Sequence, residues 1–272
     1  MKTIDTLVED IQQVLISGVP EGLDIDGICA EFGTRLSAMF KSRLEGYGKK
    51  QVKRLRLSAI GRSELQLWHE IKGGVEGEPL SASTLLKFLY GDVIEEILLT
   101  LSEVAGHKVT HRQETVEVDG VVRHIDAGID DEVVDTKSAS SRSFEKFKDG
   151  SLVNDDPFGY VYQIGSYATA KRKARGFLFA MDKTLGHITL LKIDQWPNIR
   201  ERIAFLKDML SRDVPPDYQC STKKDKQGRT YLGAPCSYCP TKHACHKNMY
   251  MTQTSYGPRF MLNEVEPLGN SE

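Results

Sequence analysis

The stretch His124-Ile-Asp-Ala-Gly-Ile-Asp-Asp-Glu-Val-Val-Asp-Thr-Lys-Ser138 decides how this chain folds. It contains two apolar segments joined at Asp130-Asp131, and aspartate is favoured in tight turns. A two-residue hairpin turn at this point places Asp126 directly opposite Asp135 on the neighbouring strand. The stretch therefore predicts a β-hairpin that carries one carboxylate on each strand.

The predicted hairpin brings two carboxylates and a lysine to one face. Its register pairs Ile129 with Glu132, and the alternation of side chains along a strand then puts Lys137 on the same face as Asp135. Two aspartates facing each other about 5 Å apart repel, and a divalent cation between them would remove that repulsion. Lys137 could then contact a bound water or a phosphate, as in a metal-dependent phosphodiesterase. The alternative is an ordinary solvated hairpin, the more common context of an Asp-x-Lys triplet.

A long helix is predicted upstream of the hairpin, from Ser83 to Val104. One apolar stripe follows it at helical spacing: Leu86, Leu89, Val93, Ile97, Leu101 and Val104. Glu95 lies on a flank that is itself largely apolar, and a semi-buried acid is costly unless it is paired or bound to a metal. Glu96 aligns with Asp92 and Glu103 on the expected solvent face. Glu95 is therefore the predicted third ligand, with Glu96 as the fallback and a solvated surface acid as the alternative.

A second helix is predicted downstream, from Pro157 to Lys173. Tyr160, Gln163 and Tyr167 are spaced to lie on one of its faces. An aromatic core stripe with an incidental glutamine would give the same spacing. Because the helix directly follows the acidic hairpin, we expect this face to overlook the site.

These elements, in this order, resemble the PD-(D/E)XK nuclease superfamily, and most of all its RecB-like exonuclease branch. The motifs that carry the resemblance are Gly91-x-x-x-Glu95, Asp126, Asp135-Thr-Lys137 and Gln163-x-x-x-Tyr167. It covers about residues 58 to 250 and implies an α/β, restriction-endonuclease-like core with a mixed β-sheet flanked by helices. The family often has histidine at the position of Glu95, and Ile125 replaces the usual proline before the first aspartate.

The resemblance implies a metal-dependent DNA exonuclease that acts on single-stranded or resected ends in recombination, repair or phage DNA metabolism. Glu95, Asp126, Asp135 and the carbonyl of Thr136 would bind Mg²⁺ or Mn²⁺. Three residues would assist the chemistry: Lys137, Gln163 and Tyr167. A structure-specific endonuclease or a DNA-processing subunit, similar to CRISPR-associated relatives, is the alternative, and a catalytically dead DNA-binding module is a third. A helicase or recombination partner would supply any unwinding, since the sequence contains no Walker motif.

Four of the five cysteines are concentrated near the C-terminus: Cys220, Cys236, Cys239 and Cys245. Their spacing suits metal coordination, by zinc or by an iron–sulfur cluster, and disulfides are the alternative. Relatives with a comparable cysteine trio contain a four-iron cluster, so the resemblance favours [4Fe-4S] over Zn²⁺. In such relatives the first cysteine commonly lies far upstream, near the segment that corresponds to residues 57–68. This chain has Ser63 and no cysteine in that segment, which leaves Cys220 as the fourth ligand. His243 and His246 are spare candidates, and Cys29 is expected to be a buried small hydrophobe.

Positive charge is concentrated between Arg35 and Arg62, although the net charge of the whole chain is −2. This segment contains nine basic residues and one acid, Glu45. Basic residues with aromatic neighbours are typical of single-strand binding, and a solvated arm is the alternative. The candidate DNA-binding residues are Lys49, Lys50, Lys53, Arg54, Arg56 and Arg62.

Four regions are predicted along the chain of 272 residues. They are a helical, basic N-terminal region (1–78), the nuclease core (79–212), a four-cysteine module (213–250) and a loose C-terminal tail (251–272). The strands expected in the core are 109–118, 121–130, 132–138, 176–182 and 187–193, followed by a helix at about 196–211. The lack of a recognisable signal peptide, the odd cysteine count and the absence of a long apolar run predict a cytoplasmic chain without a membrane partner.

Overall fold

The computed structural model describes residues 2–49, 52–217, 221–254 and 257–263. Two predicted site residues, Lys50 and Cys220, lie outside the described residues. Within these ranges no helix is both long enough and apolar enough to cross a bilayer.

Helices make up most of the first hundred residues and flank the strands that follow. Their bounds are α1 Leu7–Ser17, α2 Ile25–Gly46, α3 Glu64–Ile71, α4 Ala82–Val104, α5 Ser141–Lys148, α6 Tyr160–Lys171, α7 Ile199–Ser211, α8 Ala234–Ser237 and α9 Lys242–Cys245. Several begin at a side chain that accepts a hydrogen bond from a first-turn amide, as Ser81 does before α4 and Ser140 before α5. Helix α5 was not predicted from the sequence.

The strands form three sheets. Their bounds are β1 Val109–Thr110, β2 Thr115–Val118, β3 Val121–His124, β4 Ala127–Ile129, β5 Glu132–Ala139, β6 Gly176–Asp182, β7 Ile188–Ile193, β8 Thr222–Lys224, β9 Thr230–Leu232, β10 Met249–Thr254 and β11 Gly257–Leu262. The central sheet has the order β1-β4-β5-β6-β7, in which β5 and β6 are parallel and the other pairs antiparallel. The predicted α/β class, with a mixed sheet flanked by helices and a helical N-terminus, is confirmed.

The hairpin β4–β5 has the predicted register. Ile129 pairs with Glu132, and the pairing continues to Ala127 with Val134. Its turn residues Asp130 and Asp131 have φ values of 49° and 68°, in the left-handed region that aspartate tolerates better than most residues.

Three predicted segments differ from the structure. The single strand expected at 109–118 is divided into β1 and β2, because His111 and Gln113 between them have positive φ values of 56° and 54°. The strand expected at 121–130 is likewise divided, since β3 pairs with β2 in a separate sheet while β4 joins the central sheet. The tail expected from residue 251 instead contributes to β10 and β11, which pair with each other, while β11 also pairs with β9.

The apolar core lies on both faces of the central sheet. On one face, Leu178 of β6 packs in a cluster with side chains of α5, α6 and α7. On the other, Phe177 and Phe179 pack with Leu98 of α4 and with α1. The N-terminal region contributes to both clusters, through α1 and through Leu57, Ile60 and Leu67. The proposed division into four regions stays a prediction.

Candidate active site

The two hairpin carboxylates lie where β4 and β5 meet. Asp126 immediately precedes β4, and its Oδ2 accepts hydrogen bonds from the Thr136 amide at 2.7 Å and from the Thr136 hydroxyl at 3.0 Å. Asp135 lies within β5 and is 1% exposed. The backbone amide of Thr136 in β5 thus fixes the Asp126 carboxylate, and the hairpin register places Asp126 next to Asp135, as predicted.

Lys137 reaches the same site from β5. Its ammonium forms an ion pair with Asp135, donates to Gln163 Oε1 at 3.4 Å and lies 4.7 Å from the centroid of the Tyr160 ring. Burial opposes its charge, but the Asp135 carboxylate and its neighbours outweigh that cost and raise the pKa of Lys137 above its ordinary value. With these partners Lys137 carries a positive charge held beside Asp135.

Helix α6 supplies the residues that hold this pair in place. Gln163 Nε2 donates to Asp135 Oδ1 at 2.8 Å and lies 3.0 Å from the Tyr167 hydroxyl oxygen. Tyr167 is almost fully buried, and that burial, followed by the Asp135 charge, raises its pKa. The predicted face of α6 therefore does overlook the hairpin, with Gln163 in contact with both Asp135 and Lys137.

Glu95 approaches the hairpin from α4. Burial first, and then the charges of Asp126 and Asp135, raise the pKa of Glu95 to about 9. Burial and the charge of Asp135 raise the pKa of Asp126 to about 7. These values mean that the three carboxylates are close enough to repel one another in a poorly solvated place.

Glycine at position 91 lets α4 approach β5 closely. A Cβ at Gly91 would lie 3.4 Å from the Ser138 hydroxyl oxygen, at the limit of a comfortable contact. A larger side chain would push α4, and Glu95 one turn further on, away from the hairpin.

Each of the three carboxylates accepts a hydrogen bond from a protein group, and the three do not converge on a common metal position. Glu95 accepts from Gln113 at 2.8 Å, Asp126 from Thr136, and Asp135 from Gln163. Accordingly, the described residues contain no group of three or more His, Cys, Asp or Glu side chains already placed to hold a metal ion. The donor set is nevertheless all oxygen, which is what Mg²⁺ and Mn²⁺ prefer, and the raised pKa values show a local excess of negative charge. The residues present fit such an ion after side-chain rotation.

Glu96, the fallback ligand, does not lie on a solvent face. Its carboxylate is 2.6 Å from Arg35 of α2 and 3.3 Å from Arg112. Helix α2 covers this side of α4, and Arg43 similarly binds Asp92. The predicted solvent face is therefore wrong, because it is an interface of ion pairs between two helices.

The candidate DNA-binding residues divide into two groups. Arg56 and Arg62 are partly buried and pair with Glu70 at 3.8 and 2.7 Å. The side chains of Lys49, Lys53 and Arg54 are exposed, although Lys53 also donates to the Val75 carbonyl at 3.3 Å. The second group presents its charge more fully to solvent.

Three of the four predicted cysteine ligands meet at one small cavity. Cys236, Cys239 and Cys245 line it together with His246. Burial, followed by the two neighbouring thiols, raises the pKa of Cys245 to about 11. No disulfide joins any two of the described cysteines. Cys29 is exposed on α2, so its predicted burial is wrong.

One contact at the site was not predicted from the sequence. Gln113, the hydrogen-bond partner of Glu95, lies in the break between β1 and β2. A glutamine in a segment expected to be strand carries no signal of this kind.

Comparisons with known proteins give likenesses of structure. No family model matches the chain, and no curated protein matches it significantly. An alkaline exonuclease from Laribacter hongkongensis is 14% identical, with 64% of this chain and 89% of that chain covered and a TM-score of 0.40. A phage-related exonuclease from Haemophilus somnus is 16% identical, with 58% and 90% covered and a TM-score of 0.40. A protein designated SSO0001 is 14% identical, with 77% and 94% covered and a TM-score of 0.42. At this identity the likeness concerns the fold.

Proposed function

We propose that this chain is a metal-dependent nuclease that hydrolyses phosphodiester bonds of DNA. The observation that carries the proposal is the convergence of Glu95, Asp126 and Asp135 beside the charged Lys137 on one end of the hairpin. Clustered carboxylates with raised pKa values are costly in a fold and are typical of sites that bind or process a charged group.

Four groups would hold the ion: the carboxylates of Glu95, Asp126 and Asp135, and the main-chain carbonyl of Thr136. A bound Mg²⁺ or Mn²⁺ would polarise the scissile phosphate and lower the pKa of the attacking water. Glu95 and Asp135 would have to leave the side-chain amides of Gln113 and Gln163, which can turn away. Asp126 would keep its hydrogen bond from the main-chain amide of Thr136.

Lys137 supplies the positive charge that the phosphate needs as it becomes more negative in the transition state. Gln163 holds this ammonium through its carbonyl oxygen and holds Asp135 through its amide nitrogen. The buried Tyr167 hydroxyl oxygen accepts a hydrogen bond from the Gln163 amide and so holds that side chain in place. Gln163 and Tyr167 are thus positioning residues for the pair Asp135–Lys137.

A second cofactor is proposed for the cysteine module. Cys236, Cys239 and Cys245, with Cys220 as the fourth ligand, would hold a [4Fe-4S] cluster, with Zn²⁺ as the alternative. The three described thiols already share a cavity with Gln66 of α3, whose amide donates to the Pro235 carbonyl at 2.8 Å. The metal would therefore fasten the module to α3, a structural role.

Within this function, the exonuclease is preferred over the structure-specific endonuclease. The exposed Lys49, Lys53 and Arg54 suit a passage that follows phosphates without reading sequence. The setting proposed is recombination, repair or phage DNA metabolism in the cytoplasm, with a helicase or recombination protein as partner.

Linear single-stranded DNA should be degraded from its ends in Mg²⁺ or Mn²⁺, while covalently closed circles are left intact. The rate under subsaturating conditions should fall steeply with salt, since binding depends on phosphate contacts. The measurement is digestion of end-labelled linear strands and closed circles in parallel, at about 50 and 200 mM salt.

The matched variant replaces Lys49, Lys53 and Arg54 by alanine. It should weaken binding and processivity but leave cleavage of bound substrate unchanged. If closed circles are cut as fast as linear strands are consumed, the chain is an endonuclease. If neither is cut with either metal, the proposed function fails.

A further inference from the structure

Two aromatic side chains stand exposed at the junction between the core and the cysteine module. Phe158, just before α6, is 38% exposed, and Tyr238, between Cys236 and Cys239, is 77% exposed. Their ring centroids are 6.0 Å apart and the planes are tilted by 54°. The contact between the two rings leaves most of the Tyr238 side chain exposed to solvent. Large exposed aromatic surfaces of this kind often mark binding sites.

The pair continues inward to the proposed active site. The Phe158 ring lies 5.7 Å from that of Tyr160, and the Tyr160 ring lies 4.7 Å from the ammonium of Lys137. The rings of Tyr238, Phe158 and Tyr160 therefore form a continuous series of neighbours between the surface of the cysteine module and Lys137.

A cavity lies beside the two segments that carry these rings. Asp156 and Pro157 on one wall, and Pro235 and Cys236 on the other, line the same cavity of about 400 Å³. Phe158 comes directly after Pro157 in the sequence and Tyr238 two residues after Cys236, so both rings belong to segments that line this cavity.

Glycine fixes the loop that carries Phe158. Gly159 has φ 77°, and a Cβ there would lie 2.6 Å from the Cα of Gly61. The loop before α6 therefore packs closely against the backbone of Gly61, which fixes the main chain next to Phe158.

Positive charge accompanies the rings. The ion pair with Lys146, and more weakly the charge of Lys223 on the exposed strand β8, lower the pKa of the Asp155 carboxyl. Lys146 forms an ion pair with the same Asp155 and so offsets its negative charge. A polyanion with flat apolar faces would find aromatic surface here, and the exposed Lys223 acts on Asp155, three residues before Phe158.

We propose that Phe158 and Tyr238 form a stacking platform for the unpaired bases of single-stranded DNA that enters the active site at Lys137. This inference rests on the proposed function and assigns the cysteine module a direct part in substrate binding. Stacking on aromatic rings is favourable for every base and needs no sequence match, which suits the exonuclease. A duplex, whose bases are already stacked, would gain little from such a platform.

The test is binding of a fluorescein-labelled dT₂₀ strand, measured by anisotropy with Ca²⁺ in place of Mg²⁺. Tyr238→Ala and Phe158→Ala should each raise the Kd by about tenfold, while Tyr238→Trp restores it. The matched control is Tyr250→Ala, which removes an equally large exposed ring from β10 of the same module and should leave the Kd unchanged. Thermal unfolding of each variant establishes that it is folded.

Salt distinguishes the rings from the lysines. The loss caused by Tyr238→Ala should be the same factor at about 50 and 200 mM salt, whereas Lys223→Ala should flatten the salt dependence. Unchanged affinity in folded Tyr238→Ala and Phe158→Ala overturns the platform, and so does an equal loss for blunt duplex DNA. If wild-type protein binds the strand through these rings but does not cleave it in Mn²⁺, the platform stands and the nuclease proposal fails.

Discussion

Lys137→Ala should reduce single-turnover DNA cleavage by about a thousandfold or more, while affinity for single-stranded DNA in Ca²⁺ falls by less than about threefold. The reason is that the ammonium of Lys137 is held against Asp135 and Gln163, with a pKa raised further into the charged range. Removing it takes away the charge that meets the developing negative charge of the phosphate. The measurement is rapid-quench cleavage of an end-labelled strand at saturating enzyme.

The control for this experiment is Lys171→Ala. Lys171 is the last residue of α6 and pairs with Glu114 at 2.9 Å. Its replacement removes a paired lysine from the helix that packs over the site, without changing the hairpin. Asp135→Asn should match Lys137→Ala, because the two residues form one ion pair. Near-normal cleavage by either hairpin variant, in freshly added metal, would refute the assignment of the site.

Cys236→Ser should remove the metal of the cysteine module and lower the melting temperature by about 10 °C. Protein purified without oxygen should be brown and contain about four irons per chain, and this colour should be lost in the variant. The physical reason is that Cys236, Cys239 and Cys245 share one cavity beside α3, so a cluster there joins the module to the core. Visible absorbance, iron analysis and thermal unfolding measure the effect.

Cys29→Ser is the matched control, because Cys29 is exposed on α2 and remote from the module in sequence. It should change neither the colour nor the melting temperature. A colourless protein with one tightly bound zinc would mean that the proposed ligands are correct and the proposed metal is wrong. A disulfide that links these cysteines in freshly purified protein would exclude the site.

The hairpin could be predicted to the residue because two local rules agree there. Asp130 and Asp131 tolerate the left-handed backbone of a two-residue turn, and the period of two then fixes every pair that follows. The contacts of Gln163 followed in the same way, since helical spacing placed Tyr160, Gln163 and Tyr167 on one face.

The faces of α4 could not be predicted, because they depend on residues distant in the sequence. Helix α4 is covered on two sides, and Arg35, which lies far upstream, binds Glu96. A count of charges cannot distinguish an arginine that will bind DNA from one that will pair within the fold. In this chain, four arginines of the basic segment pair with acids of the chain itself: Arg35, Arg43, Arg56 and Arg62.

The breaks in the predicted strands have a local cause that composition does not reveal. His111 and Gln113 adopt positive φ values, which neither residue type signals. The break has a consequence for the site, since it turns Gln113 towards Glu95. Sequence patterning thus located the carboxylates and Gln163, but not Gln113, which holds Glu95.

Titration of metal-free protein with Mn²⁺ by calorimetry, in two buffers of different ionisation enthalpy, tests most directly whether the carboxylates form a metal site. Glu95 and Asp126, with pKa values raised to about 9 and about 7, are largely protonated at pH 6.5 and must lose protons to bind the ion. We expect binding that releases protons, is tighter at pH 8 than at pH 6.5, is abolished by Asp135→Asn and survives Glu96→Gln. Mn²⁺ binding that is absent, or that is unchanged by Asp135→Asn, would contradict the account.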